Sequence, residues 1–242
     1  MSINSQGVMD GTRPSTPSRP PYTAPTVLVS SLSHAGLYDG AAATTTLPLA
    51  LHHIVPWESL WGFWNALVGA GYTDAARDYA TLFGFAKAST AGWGTDMAAK
   101  RFVDPTNGGL EVAMCWRPWN LVRGPQWRPQ ADEEKKNGRP VKPAMDPGSD
   151  IDDMSHGAGK HAGHIKLMVE VGVVMKAFLP ATTSETAVSK VIRSWTSLAR
   201  HDLIEFDPKN WRVETKGDKY VPSVNHSDPV HPKWNKVTRH DG

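Results

Sequence analysis

The segment Leu47-Pro48-Leu49-Ala50-Leu51-His52-His53-Ile54-Val55-Pro56 spaces three leucines at period two and then sets two histidines side by side ahead of a proline. That alternation, entered from the small and threonine-rich stretch that begins at Ala41, predicts a strand ending at His52 and His53 and stopped by Pro56. Neighbouring strand residues face opposite sides, so one of the two rings is free to bind a metal while the other aims at a reacting bond. Paired histidines at a loop mouth are ordinary in themselves. Their meaning depends on what surrounds them.

Downstream, Trp57, Leu60, Trp61, Trp64, Leu67 and Val68 recur at three and four residues, predicting an amphipathic helix with Trp57, Trp61 and Trp64 in the core. Thr73 to Phe85 predicts a second packing helix, with Ala76, Tyr79, Ala80 and Phe83 on one face. After a loop-rich stretch from Gly92 to Gly109, Leu110, Val112, Met114 and Trp116 alternate with Glu111, Ala113 and Cys115. This reads as a strand running into Arg117-Pro118-Trp119-Asn120. From 124 to 159 the composition turns to Pro, Gly, Asp and Lys, a loop well beyond the usual ~12–15 residues and therefore functional, mobile or both. Ile165 to Leu179 and Ser184 to His201 predict two further helices, the latter capped by Thr183 or Ser184, joined as a helical hairpin. Residues 203–213 allow a short strand.

The expected fold is α+β and helix-dominated. Residues 1–26, rich in Pro, Ser and Thr, read as an extended disordered arm, 27–213 as one folded domain whose strand Thr26 to Ser31 lies at its start, and 214–242 as an irregular basic tail. With 40% hydrophobic and 21% charged residues among 242, most of the chain belongs to ordinary globular usage. Lys and Arg number 26 against 24 Asp and Glu, so no whole-molecule field marks a polyanion partner, and nucleic-acid binding has to be local. The lone Cys115 excludes an internal disulfide and a thiolate zinc site. Met1 to Gly11 lacks a signal-peptide pattern, and no window approaches ~18 apolar residues. The expectation is a chain made in the cytoplasm without a cleaved leader and without a membrane span.

Three further groups carry chemistry. His161-Ala162-Gly163-His164 sets two imidazoles on one helix face, a spacing that suits one metal ion, with His156 just upstream. Asn120 follows the 110–116 segment, where an amide can orient an imidazole. Trp116, Trp119 and Trp127 interleave with Arg117, Arg123 and Arg128 in a strip able to stack bases and clamp phosphates. Of ten histidines, His34, His201, His226, His231 and His240 read as ordinary surface residues.

A strand ending in Leu51-His52-His53-Ile54-Val55-Pro56, then Trp119-Asn120-Leu121-Val122, then a helix opening with His161-Ala162-Gly163-His164 resembles the HNH or ββα-metal nuclease superfamily. The resemblance is to its endonuclease VII-like branch of bacterial toxin nucleases named for Leu-His-His or Ala-His-His signatures, and it spans roughly residues 47–180. It implies a ββα-metal core embedded in additional helices. His52 takes the place of a metal ligand, His53 of the general base, Asn120 of the residue that orients the base, and His164 of the helix ligand, with His161 a third. One divalent ion is implied: Zn2+ or Ni2+ with imidazole ligands alone, Mg2+ or Mn2+ if Asp150, Asp152 or Asp153 adds a carboxylate.

The implied activity is hydrolysis of DNA with little sequence preference, the strand contacted by Arg117, Trp119, Arg123 and Arg128. The implied setting is an antibacterial toxin, delivered into a target cell by an apparatus such as type VI secretion and neutralised by a cognate immunity protein. Two other readings stand beside it: a housekeeping or mobile-element HNH endonuclease, and a non-catalytic binding module whose histidines are incidental. Here the His-His strand and the Asn segment are separated by two helices, a wider gap than the family usually shows.

Overall fold

The structure, a computed structural model, describes residues 26–28, 46–85, 110–125, 158–216 and 219–224. The arm before Thr26, the interior of the 124–159 loop and the last residues of the tail lie outside the described residues. So do Trp127, Arg128, Asp150, Asp152, Asp153 and His156. In order, the elements are β1 (Thr26–Leu28), β2 (Thr46–His53), α1 (Trp57–Gly69), α2 (Thr73–Leu82), α3 (Leu110–Trp116), β3 (Leu121–Pro125), α4 (Ala162–Ala177), α5 (Glu185–Ser194), β4 (Trp211–Lys216) and β5 (Lys219–Val224). The described residues are helix-dominated, with two small antiparallel sheets among them, ordered β1-β2-β3 and β4-β5. Among the described residues no helix is long and apolar enough to cross a membrane.

α1 buries Trp57, Leu60, Phe63, Trp64 and Leu67, the stripe its spacing predicts. Its first turn is organised by the Pro56 carbonyl, which accepts from Ser59 N at 3.0 Å and Leu60 N at 3.2 Å. Proline costs nothing at such a start because its missing N–H is one of the helix's orphan donors. The start of α2 has no cap of its own. Glu185, in the first turn of α5, supplies it, with Oε1 accepting from Asp74 N at 2.7 Å and Ala75 N at 3.2 Å. Tyr72 fastens the same corner, its hydroxyl lying 2.9 Å from Pro180 O and 2.7 Å from Thr183 O. Ser184 caps α5 through Ala187 N, as the sequence predicts. The core is an aromatic chain in which Phe63 meets Tyr79, Phe178 and Trp195, Tyr79 meets Phe83, and Phe83 meets Trp119.

Four expectations are corrected. Leu110–Trp116 is a helix, α3, and not a strand. Leu110, Ala113 and Met114 are buried at helical spacing, and the alternation misleads because Ala113 and Cys115 are as apolar as the residues between them. Asn120 accordingly sits in a short 3-10 turn, Pro118–Asn120, and the strand that pairs with β2 begins after it. α4 and α5 form no closely packed hairpin: α5 packs mainly on α2, and α4 on α1. Residues 203–213 supply Ile204, which bridges Val122 in parallel, and the first half of the strand Trp211–Lys216, whose antiparallel pairing with Lys219–Val224 extends regular structure into the 214–242 segment expected to be irregular.

Candidate functional site

β2 and β3 bring the first set of expected residues to one end of a sheet, His52 opposite Val122 and His53 opposite Leu121. The ladder runs on past the strand end, Ile54 N donating to Asn120 O at 2.9 Å. Asn120 is fully buried, and both ends of its amide serve Val55: Oδ1 accepts from Val55 N at 2.7 Å and Nδ2 donates to Val55 O at 3.0 Å. This satisfies two buried backbone groups that would otherwise lack partners in the turn following His53. Asn120 thus clamps the turn that follows His53, and neither of these bonds reaches the His53 ring.

Cys115 holds the ring instead. His53 Nε2 lies 2.7 Å from Cys115 O and 3.3 Å from its Sγ, with the ring tilted against Trp116 at a centroid distance of 4.9 Å. A carbonyl only accepts, so Nε2 carries the proton and Nδ1 of the neutral ring carries the lone pair. Burial holds the His53 pKa below the ordinary imidazole value, against the weaker upward pull of the Cys115 carbonyl. The His53 ring is therefore neutral at pH 7. Burial pushes the neighbouring Cys115 thiol up to about 12, so it stays protonated and is no nucleophile. His52, on the other face of β2, is buried.

A second cluster gathers at the start of α4. His164 Nε2 donates to Trp119 O at 2.9 Å, and its ring stacks on His201 at 3.9 Å between centroids. His161 Nδ1 lies 3.4 Å from His201 Nε2 with the two rings edge to face, and His201 Nδ1 donates to Asp202 O at 2.8 Å. Burial is the main cause lowering the pKa of His161 and His164, and the neighbouring imidazoles push the same way. His201, read from the sequence as a surface residue, is thus central to the cluster, and no spacing in the sequence ties it to His161. Among the described residues no group of three or more His, Cys, Asp or Glu side chains is arranged to hold a metal ion. His52, His161 and His164 therefore do not form a single three-histidine centre.

Among the described residues, three members of the expected nucleic-acid strip, Arg117, Trp119 and Arg123, make their polar contacts within the fold. Trp119 is buried against Phe83, and its Nε1–H donates to Leu82 O at 3.0 Å, so the ring is a core residue and not a stacking platform. Arg117 donates to Phe83 O, and Arg123 pairs with Glu205 at 3.1 Å. Their stems snorkel along apolar surface and their heads serve the fold. The exposed cations adjoining the histidine cluster in sequence are Lys160 and Arg200. Beside the cluster lies an open cleft of about 410 Å³ whose lining includes Arg117, Trp119, Arg200 and His201.

Comparison with known protein families, with curated proteins and with solved structures returns no match for this chain.

Proposed function

We propose that the chain is an endonuclease of the ββα-metal type that hydrolyses DNA phosphodiester bonds with little sequence preference, and that it acts as a delivered antibacterial toxin held in check by an immunity protein. The observation that carries the reading is the end of the antiparallel β2–β3 pair. There His53 is fixed as an Nε2–H tautomer by Cys115 O, on a turn clamped by Asn120. In the reaction, Nδ1 of His53 takes the proton of the attacking water, and its depressed pKa keeps that nitrogen unprotonated at neutral pH. The phosphate chain is met by exposed cations near the histidine cluster, Lys160 and Arg200, since Arg117, Trp119 and Arg123 are committed internally.

The family resemblance implies a divalent ion on His52 and His164, with His161. Among the described residues that donor set is not assembled, so the proposed chemistry of His53 is not routed through an ion there. One observation favours the non-catalytic alternative: Arg117, Trp119 and Arg123, three members of the aromatic and basic strip among the described residues, bond within the fold. The test is incubation of the purified full chain with supercoiled plasmid, in chelator and with single divalent ions. Conversion to nicked and linear forms is expected, and expression without a partner should arrest bacterial growth. A plasmid that stays supercoiled with every ion favours the binding module.

A further inference from the structure

We propose that His161 and His201 form a two-imidazole clamp for a divalent transition ion, Zn2+ foremost, in place of the His161 and His164 pair that their sequence spacing suggests. Two facing ring nitrogens, His161 Nδ1 and His201 Nε2, are 3.4 Å apart. That is long for an N–H···N hydrogen bond, which is ordinarily near 3 Å. It matches the edge of a tetrahedral site: with Zn–N bonds of ~2.0–2.1 Å, two ligands at the tetrahedral angle stand roughly 3.3–3.4 Å apart.

The His201 ring is also prepared as ligands usually are. Its Nδ1–H is given to the Asp202 carbonyl at 2.8 Å, which leaves the lone pair on Nε2, the nitrogen facing His161. A hydrogen bond from the second ring nitrogen to a carbonyl is the common outer support of a metal-bound histidine. His164 holds the flat face of the same ring by stacking at 3.9 Å, and is itself tied to Trp119 O. His164 is therefore a positioning residue here. The ion's remaining positions are left to solvent or to a ligand, and imidazole donors favour Zn2+, Ni2+ or Cu2+ over Mg2+.

The clamp does not depend on the nuclease reading, and its test needs no cleavage assay. The full chain is titrated with Zn2+ alone against a chromophoric chelator, and imidazole nitrogens are followed by long-range proton–nitrogen correlation. The expected result is one ion per chain, with shifts confined to His161 Nδ1 and His201 Nε2. His161→Ala and His201→Gln should each weaken binding by more than about tenfold, given that even outer-shell changes cost ~10–100-fold. Circular dichroism checks the fold of both variants, and the nitrogen shifts in the unaltered chain stand independently of them. Absence of binding, shifts at other ring nitrogens, or undiminished affinity in a folded variant overturns the clamp.

Discussion

Asn120 and Val55 are joined by two side-chain hydrogen bonds, Oδ1 to Val55 N at 2.7 Å and Nδ2 to Val55 O at 3.0 Å, across 65 residues of chain. This one side chain closes the turn that carries His53, although it touches the ring through neither bond. Asn120→Ala strands a buried N–H and a buried C=O, each worth ~1–3 kcal/mol, so a loss of roughly 2–6 kcal/mol is expected in denaturant unfolding. Asn120→Asp keeps an acceptor for Val55 N but, when ionised, sets an unpaired buried charge against Val55 O, and at about pH 7 should cost at least as much as Ala.

Acid should weaken the fold ahead of ordinary carboxylate titration. His53, His161 and His164 all have folded pKa values below 6.5. Above about pH 6.5 these rings are neutral in both folded and unfolded chains, and their contribution to stability is complete. As pH falls through that value the unfolded chain takes up protons first, so stability drops until the lowered folded values are reached. Chemical denaturation at pH 7.5, 6 and 5 checks the sign: a midpoint that rises toward pH 5 contradicts it.

Cys115 should be inert. Its thiol is buried and pushed up to about 12, so a disulfide reagent or alkylating agent at pH 8 should label the native chain far more slowly than the unfolded one. Rapid native labelling would contradict the packing of Cys115 against His53.

Gly84 and Gly62 should respond oppositely to alanine. Gly84 has φ +90°, and a Cβ there runs into the Arg117 guanidinium that bonds Phe83 O, so Gly84→Ala should cost ~1–3 kcal/mol. Gly62 lies inside α1 with nothing near its would-be Cβ, and Gly62→Ala should stabilise by ~0.5–1 kcal/mol. Each kcal/mol corresponds to ~2–4 °C in Tm for a chain of this size, so thermal scans separate the two.

Much of the architecture was legible because burial at period 2 or 3.6 leaves a mark in the residues. β2, α1, α2 and α4 stand close to where Leu49 to His53, Trp57 to Leu67, Tyr79 and Ile165 to Met175 place them. Leu110–Trp116 reads as a strand because a short run that is apolar but for Glu111 satisfies both periods, and tertiary burial of Leu110, Ala113 and Met114 chooses the helix. At the site, the placement of His53 at a strand end and His164 at a helix start followed from local sequence. The partners did not: Cys115 reaches His53, and His201 reaches His164, through long-range packing that no spacing encodes. Trp119 and Arg123 looked like a binding strip because composition cannot tell a surface aromatic from one whose N–H is bonded inside.

The proposed role of His53 is tested most directly by cleavage of supercoiled plasmid by the full chain and by His53→Ala, at pH 7 under identical ions, with matched circular dichroism. Nicking by the wild type and a loss of about 10²–10⁴-fold in the variant are expected, the usual scale of a removed general base. Equal cleavage by both proteins would contradict that role.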